Sequence, residues 1–326
     1  MEFLYTPFLG HAVWLWLVFV AVVISLLVFD LGVLHKDDHE IGVRESLWLS
    51  AGYISVGLLF GAFVWWKEGH VAGTDYYTAF LVEKSLSMDN VFVISLIFTY
   101  FAVPRQYQHR VLFWGILGAI FMRAVLIGLG AAIVKEFDWV LYLFGAFLVL
   151  TGAKMLFASD SEPDVQNNRM LGWLRRHINV TPDFEGHHFW VKRPSPQDAS
   201  KLVWWATPLF MCLFLIEISD LIFAVDSVPA VFAVTQDPFI VYTSNIFAIL
   251  GLRALYFALA AMIHRFEYLK YALALVLVFI GIKIFLVGFH IKIPSPLSLA
   301  VTFGLLVAGV LWSLWKTRGD APPLAR

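Results

Sequence analysis

Apolar stretches long enough to cross a bilayer, about 20 residues each, alternate with polar connections through most of the chain. Each stretch predicts one membrane-spanning helix. The predicted limits are 11–33, 45–66, 77–102, 110–134, 138–157, 203–233, 239–262, 268–288 and 297–315. The pattern therefore predicts an all-α polytopic membrane protein with about nine transmembrane helices, folded as a single transmembrane domain over residues 1–326.

Composition supports this class. Hydrophobic residues make up 60% of the chain and charged residues only 14%, whereas an average soluble domain carries about 25% charged residues. The formal net charge is −1 and the Lys and Arg residues form no dense run, so we expect no nucleic-acid partner. The single cysteine, Cys212, excludes an intrachain disulfide and a cysteine zinc site.

Lys and Arg are distributed unequally between alternate connections. With the N-terminus outside, fifteen of the 23 fall in the inner connections and the C-terminal tail, and three in the outer connections. Because cytoplasmic connections are enriched in Lys and Arg, this predicts an external N-terminus and a cytoplasmic C-terminus. The long polar connection, about residues 159–201, is then a cytoplasmic loop, and its prolines and charges predict partial order.

Five carboxylates lie within two of the predicted spans. They are Glu83, Asp89, Glu217, Asp220 and Asp226. An ionised side chain in the bilayer is unfavourable by about 2.5 to 3.5 kcal/mol on insertion scales and typically marks an ion pathway. Oxygen ligands without Cys or His favour Mg²⁺, Ca²⁺ or Mn²⁺, so we predict a divalent-cation site. Possible supporting ligands are Ser87, Asn90, Ser219, the Val225 carbonyl, Ser227, Ser244 and Asn245.

Basic residues in the spans offer a different explanation for the acids. Lys84, Arg123 and Arg253 could form structural ion pairs with them, the usual fate of buried charge. Five acids against three cations leave two negative charges, which one divalent ion would balance. Because clustered carboxylates repel one another in low dielectric, release of the metal should be accompanied by proton uptake. The residues therefore predict cation transport coupled to H⁺ exchange.

The spacing of the acids also limits the helix geometry. Glu83 and Asp89 are six residues apart, so on a continuous helix they point about 120° away from each other. They either flank an ion from two sides or belong to an interrupted helix. Pro229 cannot donate to the Val225 carbonyl, which predicts an interruption in the second acidic span and, by analogy, in the first.

The two acidic spans resemble each other, and so do the segments that follow them. The matches are Glu83–Val91 with Asp220–Val228 at an offset of 137, Arg123–Ala124 with Arg253–Ala254 at 130, and Gly152–Lys154 with Gly281–Lys283 at 129. This constant order predicts an internal repeat of three helices, with repeat A at about 77–157 and repeat B at about 203–288. Because an odd number of spans separates them, the copies would be inverted, an architecture with its substrate site between the repeats near the midplane.

Three motifs resemble the TerC family of bacterial membrane proteins, particularly its Alx branch. They are EKSLSMDNVFV at 83–93, EISDLIFAVDSVPA at 217–230 and TSNIFAILGLRA at 243–254. The resemblance covers most of the chain. It implies an inner-membrane exporter of Mn²⁺ whose essential acids match the five carboxylates, with Mn²⁺ as substrate rather than cofactor, and an association with tellurite resistance.

Other functions stay open at this point. The cargo could be Ca²⁺ or a broad range of divalent cations, or the protein could act as a membrane assembly or insertion factor through its long loop. An enzyme is not expected, since no nucleophile or cofactor motif accompanies the acids. The sequence does not determine the oligomeric state.

Overall fold

Long α-helices account for most of the chain that the computed structural model describes. The described residues are 2–29, 43–137, 139–157, 172, 174, 176–194, 201–259, 266, 268–289, 291 and 293–317. The helices are α1 (Val13–Phe29), α2 (Val43–Glu68), α3 (His70–Tyr100), α4 (Arg105–Glu136), α5 (Trp139–Phe157), α6 (Pro208–Val234), α7 (Pro238–Leu250), α8 (Leu252–Leu259), α9 (Leu269–Gly288) and α10 (Ser295–Lys316). Two short antiparallel hairpins accompany them, β1 (Pro7–Phe8) with β2 (His11–Ala12) and β3 (Trp190–Pro194) with β4 (Leu202–Ala206).

Seven segments of the described chain are long and apolar enough to cross a membrane, which supports the predicted polytopic class. They are Arg44–Glu68, Arg105–Glu136, Trp139–Phe157, Pro208–Val234, Pro238–Leu259, Leu269–Val287 and Ser295–Lys316. The two other predicted spans correspond to α1, which has only 17 residues, and α3. Helix α3 is 31 residues long but carries Asp75, Glu83, Lys84 and Asp89, so its charge content sets it apart from an ordinary lipid-facing helix.

Both acidic helices are continuous, so the predicted interruptions are wrong. Helix α3 runs unbroken through its acids, and α6 accommodates Pro229 within its helical course. Pro229 removes one backbone hydrogen bond, but it is buried and the helix extends on both sides of it. The Val225 carbonyl is therefore left without its usual intrahelical donor, although the helix continues to Val234.

The break lies instead in the following span, which Gly251 divides into α7 and α8. A Cβ at Gly251 would lie 2.8 Å from Lys84 Nζ and 3.1 Å from Tyr53 Cβ. The Lys84 ammonium group donates to the Ala248 carbonyl oxygen at 3.1 Å. The last carbonyls of a helix lack backbone donors. Lys84 thus supplies a side-chain donor to a carbonyl in the last turn of α7.

Part of the predicted loop has regular structure. Strands β3 and β4 pair in register from Trp190 opposite Ala206 to Pro194 opposite Leu202. The apolar run that predicted a span beginning at 203 therefore starts as a strand, and α6 begins only at Pro208. Exposure alternates along β4, as expected for a strand with one face covered. Residues 158–171 and 195–200 of this region lie outside the described residues.

Helices α5 and α9 pack closely through glycine. A Cβ built on Gly281 would lie 2.7 Å from the carbonyl oxygen of Gly145, and one built on Gly152 would lie 2.6 Å from that of Ala274. As the residue number rises along α5, its contacts move back along α9, so the two helices are antiparallel. Only residues without a side chain allow the two backbones to approach this closely.

A histidine joins three elements at one end of the bundle. His11 Nε2 lies 2.8 and 2.9 Å from the two carboxylate oxygens of Asp237, and Nδ1 lies 3.3 Å from Glu68 Oε2. Asp237 also caps α7 by accepting from the Phe239 backbone N–H at 2.9 Å. The hydrogen bond to Asp237, with further attraction from both carboxylates, raises the pKa of His11 above 6.5, while burial acts in the opposite direction. The β1–β2 hairpin is thereby fixed to α2 and α7.

Candidate functional site

Arg123 of α4 lies between two of the predicted acidic ligands. Its Nη1 donates to the Glu83 carboxylate of α3, and its Nη2 and Nε lie 3.1 and 3.4 Å from the Asp220 carboxylate oxygens of α6. All three side chains are buried, with Arg123 1%, Glu83 0% and Asp220 7% exposed. Arg123 therefore forms ion pairs with Glu83 and Asp220, and this pairing brings acids from two separate helices to one point.

Neutral side chains complete the hydrogen bonds of this cluster. Asn245 Nδ2 donates to Glu83 Oε2 at 3.0 Å, and Asn90 Nδ2 donates to Asp220 Oδ1 at 3.2 Å. Arg123 Nη1 also lies 3.1 Å from Ser227 Oγ and 3.4 Å from Asn245 Oδ1. We call the buried set the Arg123 cluster; its members are Glu83, Asn90, Arg123, Asp220, Ser227 and Asn245.

The helical repeat explains how the sequence builds this cluster. Glu83 and Asn90 are seven residues apart in α3, as are Asp220 and Ser227 in α6. Residues seven apart lie within about 20° of each other around an α-helix. Each acidic helix therefore presents one carboxylate and one neutral polar group on the same face, and the two faces meet around Arg123.

Glu217 lies beside the cluster but makes different contacts. Its carboxylate rests against Gly118 of α4, in the space that a Cβ of residue 118 would occupy. Its Oε2 is buried without a hydrogen-bond partner in the described part of the chain. The nearby Asp220 carboxylate repels it electrostatically. Glu217 is thus a partly buried acid whose buried Oε2 lacks a donor among the described residues.

The remaining two predicted ligands, Asp226 and Asp89, lie outside the Arg123 cluster or outside the described side chains. Asp226 is half-buried, and Lys154 of α5 is close enough to attract it electrostatically. It follows Asp220 by six residues and so points about 120° away from it around α6. Asp89 belongs to α3, but its side chain lies outside the described residues. The structure therefore brings Glu83 and Asp220 together at Arg123, places Glu217 within electrostatic range of Asp220, and places Asp226 within range of Lys154 of α5.

The predicted hydroxyl ligands bond to their own helices. Ser87, Ser219 and Ser244 donate to the carbonyl oxygen four residues earlier at 2.8, 2.8 and 2.7 Å. This is the usual arrangement for a serine within a helix, and it leaves the oxygen lone pairs available as acceptors. Lys84 donates to the α7 backbone, and Arg253 is 4% exposed within α8.

A small cavity adjoins the cluster. Its polar lining comes from Asn90, Ser219 and Asp220, and apolar residues of α3, α4, α6 and α8 form the rest. The cavity measures about 20 Å³, which is enough for one water molecule or one dehydrated ion of similar size. A mostly apolar cavity with three polar groups on one ion-paired side can therefore hold a small ligand.

The predicted metal-ligand set stays a prediction. In the part of the chain with described side chains, no group of three or more His, Cys, Asp and Glu residues is arranged to hold a metal ion. The guanidinium of Arg123 supplies the positive charge between Glu83 and Asp220. The contact between Gly118 and Glu217 was not predicted, because a glycine in an apolar helix gives no signal of what it faces.

Comparison with known proteins identifies the family. The description "Integral membrane protein TerC family" matches residues 68–321. An "Uncharacterized membrane protein" of Rickettsia bellii is 48% identical over 299 residues, covering 92% of this chain and 96% of its own. "Uncharacterized membrane protein STKORF319" of Myxococcus xanthus is 48% identical over 314 residues, covering 94% of this chain and 96% of its own.

A third relative has a name that states a role. The "Putative membrane-bound redox modulator Alx" of Escherichia coli (strain K12) is 44% identical over 310 residues, covering 92% of this chain and 94% of its own. No solved structure matches the chain. The family match and the three relatives together establish that the chain belongs to the TerC family of integral membrane proteins.

Proposed function

We propose that this protein exports Mn²⁺ from the cytoplasm by alternating access, coupled to H⁺ exchange, and is not an enzyme. The observation that carries the proposal is the charge of the buried site. Glu83 and Asp220 share one guanidinium, that of Arg123, and a third carboxylate, Glu217, is near enough to Asp220 to be repelled by it. When all are ionised, two negative charges remain, and one divalent cation would balance them.

The donors suit such a cation. Carboxylate and amide oxygens are the ligands that Mg²⁺, Ca²⁺ and Mn²⁺ accept, and the cavity beside Asp220 and Asn90 offers space for one ion. A partly dehydrated cation in this site would compete with Arg123 for the same oxygens. The choice of Mn²⁺ over other divalent cations rests on the resemblance to the TerC family. Export of Ca²⁺ or of several divalent cations is the alternative.

Proton coupling follows from the burial of the site. Three carboxylates and one arginine in low dielectric cannot all stay ionised without a compensating cation, because repulsion and desolvation both act against the charged forms. The site is therefore expected to take up protons when it releases Mn²⁺. An opposing proton gradient would then drive metal out of the cell.

Alternating access requires two halves that can rock against each other, and several contacts support an inverted repeat. Arg123 contacts Glu83 and Asp220, which are matched positions at an offset of 137. A Cβ on Gly152 would lie 2.8 Å from Val278 Cγ2, and one on Gly281 would lie 2.8 Å from Val149 Cγ2.

These two contacts are related by the repeat offset of 129. Adding 129 to Gly152 gives Gly281, and subtracting 129 from Val278 gives Val149. Contacts between antiparallel helices that exchange in this way are expected from a two-fold axis in the membrane plane. Such an axis would place the Arg123 cluster at the interface between the repeats, near the midplane.

The relatives and the charge pattern support a place in the bacterial inner membrane. We propose a periplasmic N-terminus and a cytoplasmic C-terminus, from the excess of Lys and Arg in alternate connections. The β3–β4 hairpin would then face the cytoplasm, and the His11 contacts would face the periplasm. The association with tellurite resistance implied by the family stays a prediction.

A redox role, as in the name of the E. coli relative, is the second candidate. The sequence holds one cysteine, Cys212, so such a role would not use an intrachain disulfide. It predicts altered cellular redox balance without Mn²⁺ flux by the purified protein.

The proposal is tested by Mn²⁺ flux into proteoliposomes with an imposed pH gradient. Glu83→Gln and Asp220→Asn should abolish flux, because each removes one charge from the site. Glu185→Gln is the matched control, since Glu185 pairs with Arg193 of β3, away from the Arg123 cluster, and is 36% exposed. Wild-type flux in both acid variants, or flux indifferent to the pH gradient, would contradict the proposal.

A further inference from the structure

Gly118 of α4 faces a carboxylate rather than an apolar side chain. Both carboxylate oxygens of Glu217 lie within the volume that a Cβ of residue 118 would fill. A glycine weakens a helix interior relative to alanine, so helix propensity does not account for this residue. The missing side chain creates a notch in α4 that the end of the Glu217 side chain occupies.

The hydrogen bonding of Glu217 differs from that of the two acids in the Arg123 cluster. Glu83 and Asp220 both accept hydrogen bonds from Arg123. Glu217 Oε2, by contrast, is buried and has no hydrogen-bond partner in the described structure. Because a buried acceptor without a donor is unfavourable, this oxygen would gain the most from a cation placed next to Asp220.

We infer that Gly118 is the positioning residue for Glu217: the absent Cβ lets this carboxylate lie against α4 with one unbonded oxygen, ready to bind a divalent cation arriving beside Asp220. This inference rests on the proposed function, and it deepens it by separating two roles. Glu83 and Asp220 share the charge of Arg123, whereas Glu217 is the ligand that binds the cation first.

An alanine at position 118 should displace the ligand without unfolding the protein. The atoms in the way of a new methyl group belong to the far end of a flexible side chain, so the Glu217 carboxylate can rotate away while the α4 backbone stays in place. The variant should then fold normally but bind the cation with Glu217 out of position.

The experiment compares transport kinetics for Mn²⁺ in proteoliposomes. Gly118→Ala should raise KM by about 10-fold or more, the range seen when residues that support a metal ligand are changed, with a smaller effect on kcat. Glu217→Asp in the same background shortens the acid by one methylene and makes room for the new methyl group. The double variant should therefore recover much of the lost affinity, although Glu217→Asp alone is impaired.

Gly128→Ala is the matched control. This variant has the same glycine-to-alanine change in the same helix. The new Cβ at position 128 would also lie close to a side-chain oxygen, 2.9 Å from Tyr242 Oη. It lies outside the Arg123 cluster, so KM should stay near the wild-type value. Thermal unfolding of each purified variant shows whether a change in KM reflects lost folding.

Two results would overturn the inference. One is a wild-type KM in Gly118→Ala while Glu217→Gln abolishes transport, which would leave the proposed function intact. The other is a loss of transport in Gly118→Ala that matches its loss of thermal stability and that Glu217→Asp does not reverse. Undiminished flux in every variant, including Glu83→Gln and Glu217→Gln, would instead overturn both proposals.

Discussion

Replacing Arg123 with glutamine should strongly destabilise the fold, because two acids would lose their shared counter-charge. Arg123 and Glu83 are almost completely buried, at 1% and 0% exposure, and Asp220 is 7% exposed. The substitution removes the charged donor to both carboxylates and to Ser227 Oγ and leaves only the amide donors of Asn245 and Asn90. Glutamine is shorter and uncharged, so it cannot replace these bonds.

The size of the effect follows from the burial. Removing one partner from a buried ion pair typically destabilises a protein by about 3 to 5 kcal/mol, since the remaining charge is left uncompensated. Here two carboxylates are left, so we expect the upper part of that range unless they take up protons. Arg123→Lys keeps the charge but loses the planar fork that reaches two carboxylates, and should destabilise by about 1 to 3 kcal/mol through the lost hydrogen bonds.

The assay is reversible unfolding of the detergent-solubilised protein, with the free energy of unfolding compared between variants. Arg193→Gln is the control, since this arginine also pairs with a glutamate but is 40% exposed. Exposed pairs contribute no more than about 1 kcal/mol, so this variant should stay close to wild type. Added Mn²⁺ should restore part of the stability of Arg123→Gln by supplying the missing positive charge.

An Arg123→Gln protein as stable as the Arg193→Gln control would refute this reasoning. It would show that Glu83 and Asp220 do not depend on the guanidinium for compensation. Adding Glu83→Gln to the Arg123 variant gives a second check. If the buried carboxylate is the source of the destabilisation, the double variant should be more stable than Arg123→Gln alone.

Three further predictions concern residues outside this cluster. The pKa of His11 is raised, so the stabilisation from its pairs with Asp237 and Glu68 is complete below pH 6.5, the pKa in the unfolded state, and is lost as the pH rises through the pKa in the folded state. His11→Gln should remove this part of the pH dependence of the unfolding free energy. An unchanged pH profile in this variant would contradict the prediction. Lys84→Met should destabilise the protein by about 1 to 3 kcal/mol by leaving the Ala248 carbonyl without its side-chain donor, whereas unfolding like wild type would show that water replaces the ammonium group. Gly281→Val should destabilise it by about 1 to 3 kcal/mol or more, because a Cβ there lies 2.7 Å from a backbone oxygen of α5, and wild-type stability would show that α5 and α9 can separate freely.

Hydropathy predicted the class of protein because the bilayer imposes it locally. A helix must supply about 20 apolar residues to cross the hydrocarbon core, and this can be counted without knowing what the helix contacts. The same local logic marked Glu83 and Asp220 as unusual, since a carboxylate in an apolar span is unfavourable wherever the span lies. The resemblance between the two acidic spans and the TerC motifs were also visible in the sequence, because both depend on residue order.

Other features depended on contacts between residues distant in the chain. Pro229 predicted a break in α6, yet α6 is continuous and the break is at Gly251. Near that break, Lys84 donates to the Ala248 carbonyl of α7, which lies 164 residues later in the chain. Residues 203–206 were predicted as membrane helix but belong to β4, which pairs with β3, a partner that no local pattern specified.

The sequence by itself thus determined a polytopic helical protein with acids inside its helices. Only the tertiary structure decided that Arg123 compensates Glu83 and Asp220 together, and that Glu217 lies in the notch at Gly118. The physical reason is that hydropathy and helical periodicity act over a few turns, whereas the meeting of Arg123 with an acid 97 residues away depends on how whole helices pack.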